Sequence, residues 1–165
     1  MNETTTTALT VNDSTTNVTS SDITITREGL AGYAVDFNGT NSYLRYGTGL
    51  ADSTPNCTTY MSVVAPIVPD SGASDNRYII SQEGTPSAKF YIRLNSSNQV
   101  ESRVYYSNSS YVELTSGTTV PTDGYTPSVI ILTVDTKVRE GNVKLYVNGK
   151  LEDQTGVASS SGTTD

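Results

Sequence analysis

Along most of the chain apolar side chains recur at every second position, in short runs separated by turn-forming residues. The runs are Tyr33–Phe37 (YAVDF), Tyr43–Tyr46 (YLRY), Tyr60–Ile67 (YMSVVAPI), Arg77–Ser81 (RYIIS), Lys89–Leu94 (KFYIRL), Gln99–Tyr106 (QVESRVYY), Tyr111–Thr115 (YVELT), Ser128–Asp135 (SVIILTVD) and Val143–Val147 (VKLYV). A period of two sends successive side chains to opposite faces, so each run predicts a β-strand. In Lys89–Leu94, Phe90, Ile92 and Leu94 point one way and Lys89, Tyr91 and Arg93 the other, the pattern of a sheet with one wet face. Val129–Val134 is apolar on both faces except at Thr133, which predicts a central strand covered on both sides. Val143, Leu145 and Val147 alternate with Lys144 and Tyr146, and Asn148-Gly149 then supplies two residues that tolerate positive φ, predicting a type I′ hairpin into Lys150-Leu151.

No window of helical length repeats apolar positions at helical spacing, and Pro55, Pro66, Pro69, Pro86, Pro121 and Pro127 punctuate the rest. Short strands with no helix to cover them must bury their apolar faces against each other, and the architecture expected is all-β, a two-sheet antiparallel β-sandwich. Replacing Leu132 or Leu145 by Ala should then open a cavity in its core.

Composition narrows the chemistry. The 165 residues fit one domain. Twenty-six Thr and 21 Ser against 16% charged residues suit pleated structure rather than helix or a highly charged disordered chain. A net charge of −7 repels a phosphate backbone, so nucleic acid is not an expected partner. With no His, imidazole triads and His-bearing zinc sites are absent, and the lone Cys57 can form neither a Cys cluster nor an internal disulfide and reads as a small buried hydrophobe. No stretch approaches the length of apolar residues that spans a bilayer, and Met1-Asn2-Glu3-Thr4 opens without the basic-then-apolar pattern of a secretory signal.

The two ends differ from the middle. Residues 1–26 hold 13 Ser or Thr and no Lys, Arg, Gly, Pro or aromatic residue; their only apolar alternations are Leu9-Thr10-Val11 and Ile23-Thr24-Ile25. This arm has β-favouring side chains but too few apolar ones to bury a face alone, so it is either a solvated tail or a strand that orders against something else. Residues 154–165 are rich in Ser, Gly and Thr and read as a tail or linker.

Two segments resemble a known family. Ala34-Val35-Asp36-Phe37-Asn38-Gly39-Thr40-Asn41-Ser42-Tyr43-Leu44 is similar to the opening of laminin-G-like, concanavalin A-like jelly rolls. Gly141-Asn142-Val143-Lys144-Leu145-Tyr146-Val147-Asn148-Gly149-Lys150-Leu151 is similar to the hairpin near that family's far end, and Met61–Pro66 and Tyr78–Ser81 fall where it has central strands. The resemblance covers residues 33–153 and implies a jelly-roll sandwich over 27–153; it says little of function, because the fold hosts lectins, adhesion modules, hydrolases and virion proteins. The Trp that family members often carry is missing near Pro127-Ser128, and the strand that usually follows the last hairpin is replaced by the Ser/Gly/Thr tail. That departure implies a sandwich one strand short at an edge. The arm is the candidate to fill it, in cis or as a strand donated to the next subunit, with Leu9, Val11, Ile23 and Ile25 entering pockets. Donation in one direction need not close and builds a filament of copies of the chain.

Seven Asn-x-Ser/Thr sequons, at Asn2, Asn12, Asn17, Asn38, Asn56, Asn95 and Asn108, suit an extracellular glycoprotein, although a surface rich in Asn, Ser and Thr produces such triplets unaided. For catalysis the family's glycosidases need a tight carboxylate cluster on one strand; no such run exists, Glu152-Asp153 reads as a solvated edge, and no catalytic residue is assigned. Asp36, Asp70, Asp75, Asp123 and Asp135 lie in or near loops and offer the oxygen donors a calcium ion uses, but isolated loop aspartates ordinarily serve as turn residues, so no metal or other cofactor is assigned. Among 11 Tyr, Tyr105, Tyr106 and Tyr111 fall on adjacent strands and could form a sugar-stacking platform or simply pack across strands. Two readings follow. The first is a non-enzymatic structural subunit of an extracellular filament or particle surface, assembled through its arm and glycosylated, and the second is a carbohydrate-binding or adhesion module of a phage or viral appendage or a cell-surface protein; either places the chain outside the cell or on the surface of a virion or cell.

Overall fold

The computed structural model describes residues 18–21, 23–29, 32–37, 43–46, 61–71, 76–82, 90–105, 111–135 and 143–155, and every regular element among them is a β-strand. The chain divides into two compact units, Met1–Leu50 and Ala51–Asp165. In the first, β1 (Val18–Ser21) pairs antiparallel with β4 (Tyr43–Tyr46), and β2 (Ile23–Gly29) pairs antiparallel with β3 (Gly32–Phe37). The end of the Thr-rich arm is therefore strand paired within its own chain, with Ile23 opposite Phe37 and Ile25 opposite Val35. β-Branched Thr, Ile and Val, whose restricted χ1 suits a pleated ladder, make up most of this segment. Leu9 and Val11 lie outside the described residues.

The second unit contains β5 (Met61–Ile67), β6 (Arg77–Gln82), β7 (Phe90–Leu94), β8 (Gln99–Tyr105), β9 (Tyr111–Thr119), β10 (Ser128–Val134), β11 (Val143–Val147) and β12 (Lys150–Thr155). They form two four-stranded sheets, β12-β11-β10-β5 and β6-β7-β8-β9, with every pairing antiparallel. The sheets share one core: Phe90, Ile92, Leu94, Val100, Val104, Val112 and Leu114 from one meet Ile130, Leu132, Val134, Val143, Leu145 and Val147 from the other. Each is an inward position of a period-two run, and burying one such side chain fully contributes about 1.5–3 kcal/mol. β10 is central, between β11 and β5, but only one of its faces is dry. Ser128, Ile130, Leu132 and Val134 are buried while Val129, Ile131 and Thr133 are half-buried, so the expected cover on both sides is halved.

The two margins of this sandwich differ. On one, the outermost of the described strands are β5 and β6, where Met61, Val63, Ala65, Ile67, Ile79 and Ile80 pack against the core but stay partly exposed. Pro66 fits there, since an edge strand tolerates a missing N–H. On the other, β9 and β12 are laced together by side chains. The N–H of Thr115 donates to Asp153 Oδ2 at 3.0 Å, and the N–H and hydroxyl of Thr118 donate to Glu152 Oε2 and Oε1 at 2.9 and 2.7 Å. A β-bulge makes this geometry possible: Leu145 pairs with Asp153 but Tyr146 with Leu151, so Glu152 is the extra residue and both neighbouring carboxylates can reach β9. The Glu152 side chain is 2% exposed and Asp153 is half-buried and bonded to β9, so the expectation of a solvated edge at Glu152-Asp153 is corrected.

Two turns set register. Asn148 (φ 51) and Gly149 (φ 80) both occupy the left-handed region, as a type I′ hairpin requires, and Asn148 also accepts from the Val129 N–H through Oδ1 and donates its own N–H to the Val129 carbonyl, each at 2.8 Å. Between β7 and β8, Asn95-Ser96-Ser97-Asn98 form a type I turn with Asn98 (φ 58) left-handed: the Asn98 N–H donates to the Asn95 carbonyl at 2.9 Å and the Asn95 N–H to the Gln99 carbonyl at 3.0 Å. The Asn98 carbonyl accepts from the Val120 N–H at 2.8 Å, and its Oδ1 accepts from the Arg77 guanidinium. Opposite Val100, β9 bulges and the buried Ser116 hydroxyl repairs the ladder, accepting from the Val100 N–H at 2.9 Å and donating to the Thr118 carbonyl at 2.6 Å.

Candidate functional site

The inward positions of β6–β9 fill the core, so the alternate positions lie together on the sheet's outer face. Cross-strand register arranges them in three rows: Tyr78, Arg93, Glu101 and Thr115; then Ser81, Tyr91, Arg103 and Glu113; then Tyr105 and Tyr111. Arg93 donates from Nε to Glu101 Oε1 at 2.7 Å, Arg103 donates from Nε to Glu113 Oε2 at 2.8 Å, and each guanidinium makes a second bond to the same carboxylate. The Tyr91 hydroxyl donates to Glu101 at 2.9 Å and reaches Glu113 at 3.3 Å, tying the two ion pairs together.

Aromatic rings and guanidinium groups interleave across the same face. Tyr78 meets Tyr91 edge-on with centroids 5.6 Å apart, and the Arg93 guanidinium lies 4.7 Å from the Tyr91 centroid. Arg103 lies 5.3 Å from Tyr91 and 4.1 Å from Tyr111, whose ring in turn sits 5.4 Å from Tyr105. Tyr91 is buried beneath this layer, while Tyr78 and Tyr111 keep 57% and 45% of their surface in solvent. The centre is thus a fixed charged support, and the two outer rings stay solvent-exposed beside it.

Burial, followed by the hydrogen bond to Glu101 and its negative charge, pushes the Tyr91 phenol well above its usual range, so it remains a proton donor. For both arginines burial is the largest single influence and opposes the charge, but the bonds to Glu101 and Tyr78 for Arg93, and to Tyr105 and Glu113 for Arg103, outweigh it and hold the guanidinium above its ordinary value. Glu101 and Glu113 are each engaged by a guanidinium and by the Tyr91 hydroxyl.

Of the tyrosines expected from sequence to form a platform, Tyr105 and Tyr111 come together and Tyr106 lies outside the described residues. Tyr78, Tyr91, Arg93 and Arg103 were not anticipated in the platform; the signal was the polar parity of KFYIRL and QVESRV, legible as a shared face only once the strands are registered. Of the sequon asparagines, Asn95 is described. Its Oδ1 accepts from the Ser97 and Gln99 N–H groups at 2.9 and 3.1 Å, and Asn2, Asn12, Asn17, Asn38, Asn56 and Asn108 lie outside the described residues, as does Cys57. Asp123 is engaged by the Thr126 hydroxyl and then by the N–H groups of Thr126 and Tyr125, which hold its carboxyl down to about 2. Asp75 lies outside the described residues, and among those described no three His, Cys, Asp or Glu side chains gather as a metal site.

Among the described residues of the second unit, two four-stranded antiparallel sheets packed on one core and no helix make the architecture of a jelly-roll sandwich. The family model described as the Concanavalin A-like lectin/glucanases superfamily matches residues 38–165, and the chain belongs to that family. No curated protein and no solved structure matches it. No helix among the described residues is long and apolar enough to cross a membrane.

Proposed function

We propose that the chain is a carbohydrate-binding domain of an extracellular, virion-surface or cell-surface protein, acting by recognition rather than catalysis, with the outer face of β6–β9 as its contact surface. The observation that carries this reading is the pairing of Tyr105 and Tyr111 beneath Arg103, continuous with the exposed Tyr78. A pyranose presents an apolar C–H face and a rim of hydroxyls; it needs a ring to stack on and fixed donors and acceptors beside it. Arg103, Glu113 and the tyrosine hydroxyls supply those polar groups. The test is a glycan array probed with the full chain and with Tyr105→Ala and Tyr111→Ala. Hits that weaken in both variants support the reading; an array without hits, or hits that both variants retain, overturns it.

A second reading is a glycosylated structural subunit that polymerises by donating its arm. It is favoured by one observation, the partial exposure of Met61, Val63, Ala65 and Ile67 on the β5 margin. The cis pairing of Ile23 with Phe37 and Ile25 with Val35 gives the end of the arm a place in its own chain and weighs toward the first reading. Deleting residues 2–26 abolishes assembly if the second reading holds; a truncated protein that polymerises normally removes it.

A further inference from the structure

Resting on the carbohydrate-binding reading, we infer that the site takes an extended, uncharged glycan chain laid obliquely across the four strands, rather than a terminal sugar or an anionic polysaccharide. The exposed rings stand at opposite corners of the face: Tyr78 on β6 in the first row and Tyr111 on β9 in the third. Three strand spacings, about 14 Å, separate those strands, more than one sugar ring covers. The interval is not empty. Tyr78 contacts Tyr91 at 5.6 Å, the Arg93 and Arg103 guanidinium groups lie over that buried ring at 4.7 and 5.3 Å, and Arg103 reaches Tyr111 at 4.1 Å, so a ridge of guanidinium groups supported by Tyr91 leads from one exposed ring to the other. A single sugar can engage only one end of that ridge, whereas a chain several sugars long engages both.

Charge selects the class. Among the described residues the two arginines of the face are each matched by a glutamate, Arg93 by Glu101 and Arg103 by Glu113, so their charges are balanced in place. The chain as a whole carries −7, which repels a polyanion. Hydroxyl-rich neutral chains meet both the stacking surface and the paired donors and acceptors without that penalty.

The experiment is native electrophoresis of the full chain through gels containing barley β-glucan, xylan, galactomannan or alginate. It is followed by calorimetry with cellohexaose and cellobiose, xylohexaose and xylobiose, or mannohexaose and mannobiose, according to the gel that retards migration. Tyr78→Ala and Tyr111→Ala are run in parallel; both side chains lie outside the core, and unchanged thermal midpoints establish that the variants are folded. Retardation by a neutral polysaccharide, a hexasaccharide binding at least tenfold more tightly than its disaccharide, and a loss of about tenfold in each variant support the inference. Equal affinity for hexa- and disaccharide, sensitivity to only one of the tyrosines, retardation by alginate alone, or array hits confined to terminal sugars overturn it while leaving carbohydrate binding intact. No retardation together with an empty glycan array overturns both.

Discussion

Glu152 on β12 accepts from both the backbone N–H and the hydroxyl of Thr118 on β9, at 2.9 and 2.7 Å, and so fastens an edge of one sheet to an edge of the other. The ammonium of Lys150 lies 2.8 Å from the same carboxylate. Sheet margins are ordinarily where a β-protein exposes unpaired N–H groups. Here side chains of the opposing sheet occupy that role, at the two residues whose neighbouring charges make them look solvated.

The Lys150 bond first, then the Thr118 bonds, lower the Glu152 carboxyl from 4.5 to about 2. The folded-state value lies below the unfolded one, so the contribution is complete above about pH 4.5 and is lost as the pH falls toward 2. Thermal midpoints of the parent and Glu152→Gln should differ at neutral pH, the parent being the more stable, and converge across that window. A gap that stays constant down to pH 2 would show that ionisation of Glu152 does not matter.

Leu132 and Leu145 are fully buried and directly opposed on β10 and β11. Truncating either to Ala should cost about 2–5 kcal/mol in urea denaturation, because the facing sheet cannot close on the space left behind. Val64 on β5 is 61% exposed, and Val64→Thr should stay within about 0.5 kcal/mol. Equal losses at Val64 and Leu132 would contradict the placement of the core.

Asn148 combines two roles that substitution can separate. Asn148→Gly keeps the left-handed backbone but loses the Oδ1 bond to the Val129 N–H, and should cost about 1 kcal/mol. Asn148→Ala loses that bond and adds left-handed strain of about 1–2 kcal/mol. Equal stabilities of the two variants in denaturant titration would mean the turn does not hold Asn148 at positive φ.

Arg103→Lys keeps the charge but removes the planar fork that bonds Glu113 and covers Tyr111. The ion pair is partly exposed, so stability should change by less than about 1 kcal/mol. The Tyr111 ring resonances, by contrast, should move in NMR spectra; an unmoved Tyr111 would show that the guanidinium does not rest on it.

Strand identity was written in local alternation, which is why RYIIS, KFYIRL, QVESRVYY and VKLYV correspond to β6, β7, β8 and β11 within a residue or so at either end. The Asn148-Gly149 turn was legible for the same reason, since its chemistry is carried by two adjacent residues. Long-range relationships were not legible. Whether Tyr78 shares a face with Tyr111 depends on three registers and on a shift between Tyr78 and Ile80 that no local pattern encodes. Likewise Glu152 and Asp153, adjacent in sequence, should diverge by strand parity, and only the bulge opposite Leu145 and Tyr146 lets both reach β9. β9 itself runs on to Thr119, past the loss of alternation at Ser116, because the Ser116 hydroxyl stands in for a backbone acceptor.

Asn98 closes its own turn through its backbone N–H, which reaches Asn95, and meets groups from two other places in the sheet: its carbonyl meets Val120 just past β9, and its side-chain oxygen meets Arg77 at the start of β6. Opening that corner therefore releases the ends of three ladders in a single event. Amide hydrogens there should exchange as a group and not one strand at a time, giving this end of the sheet a shared fate set by one asparagine.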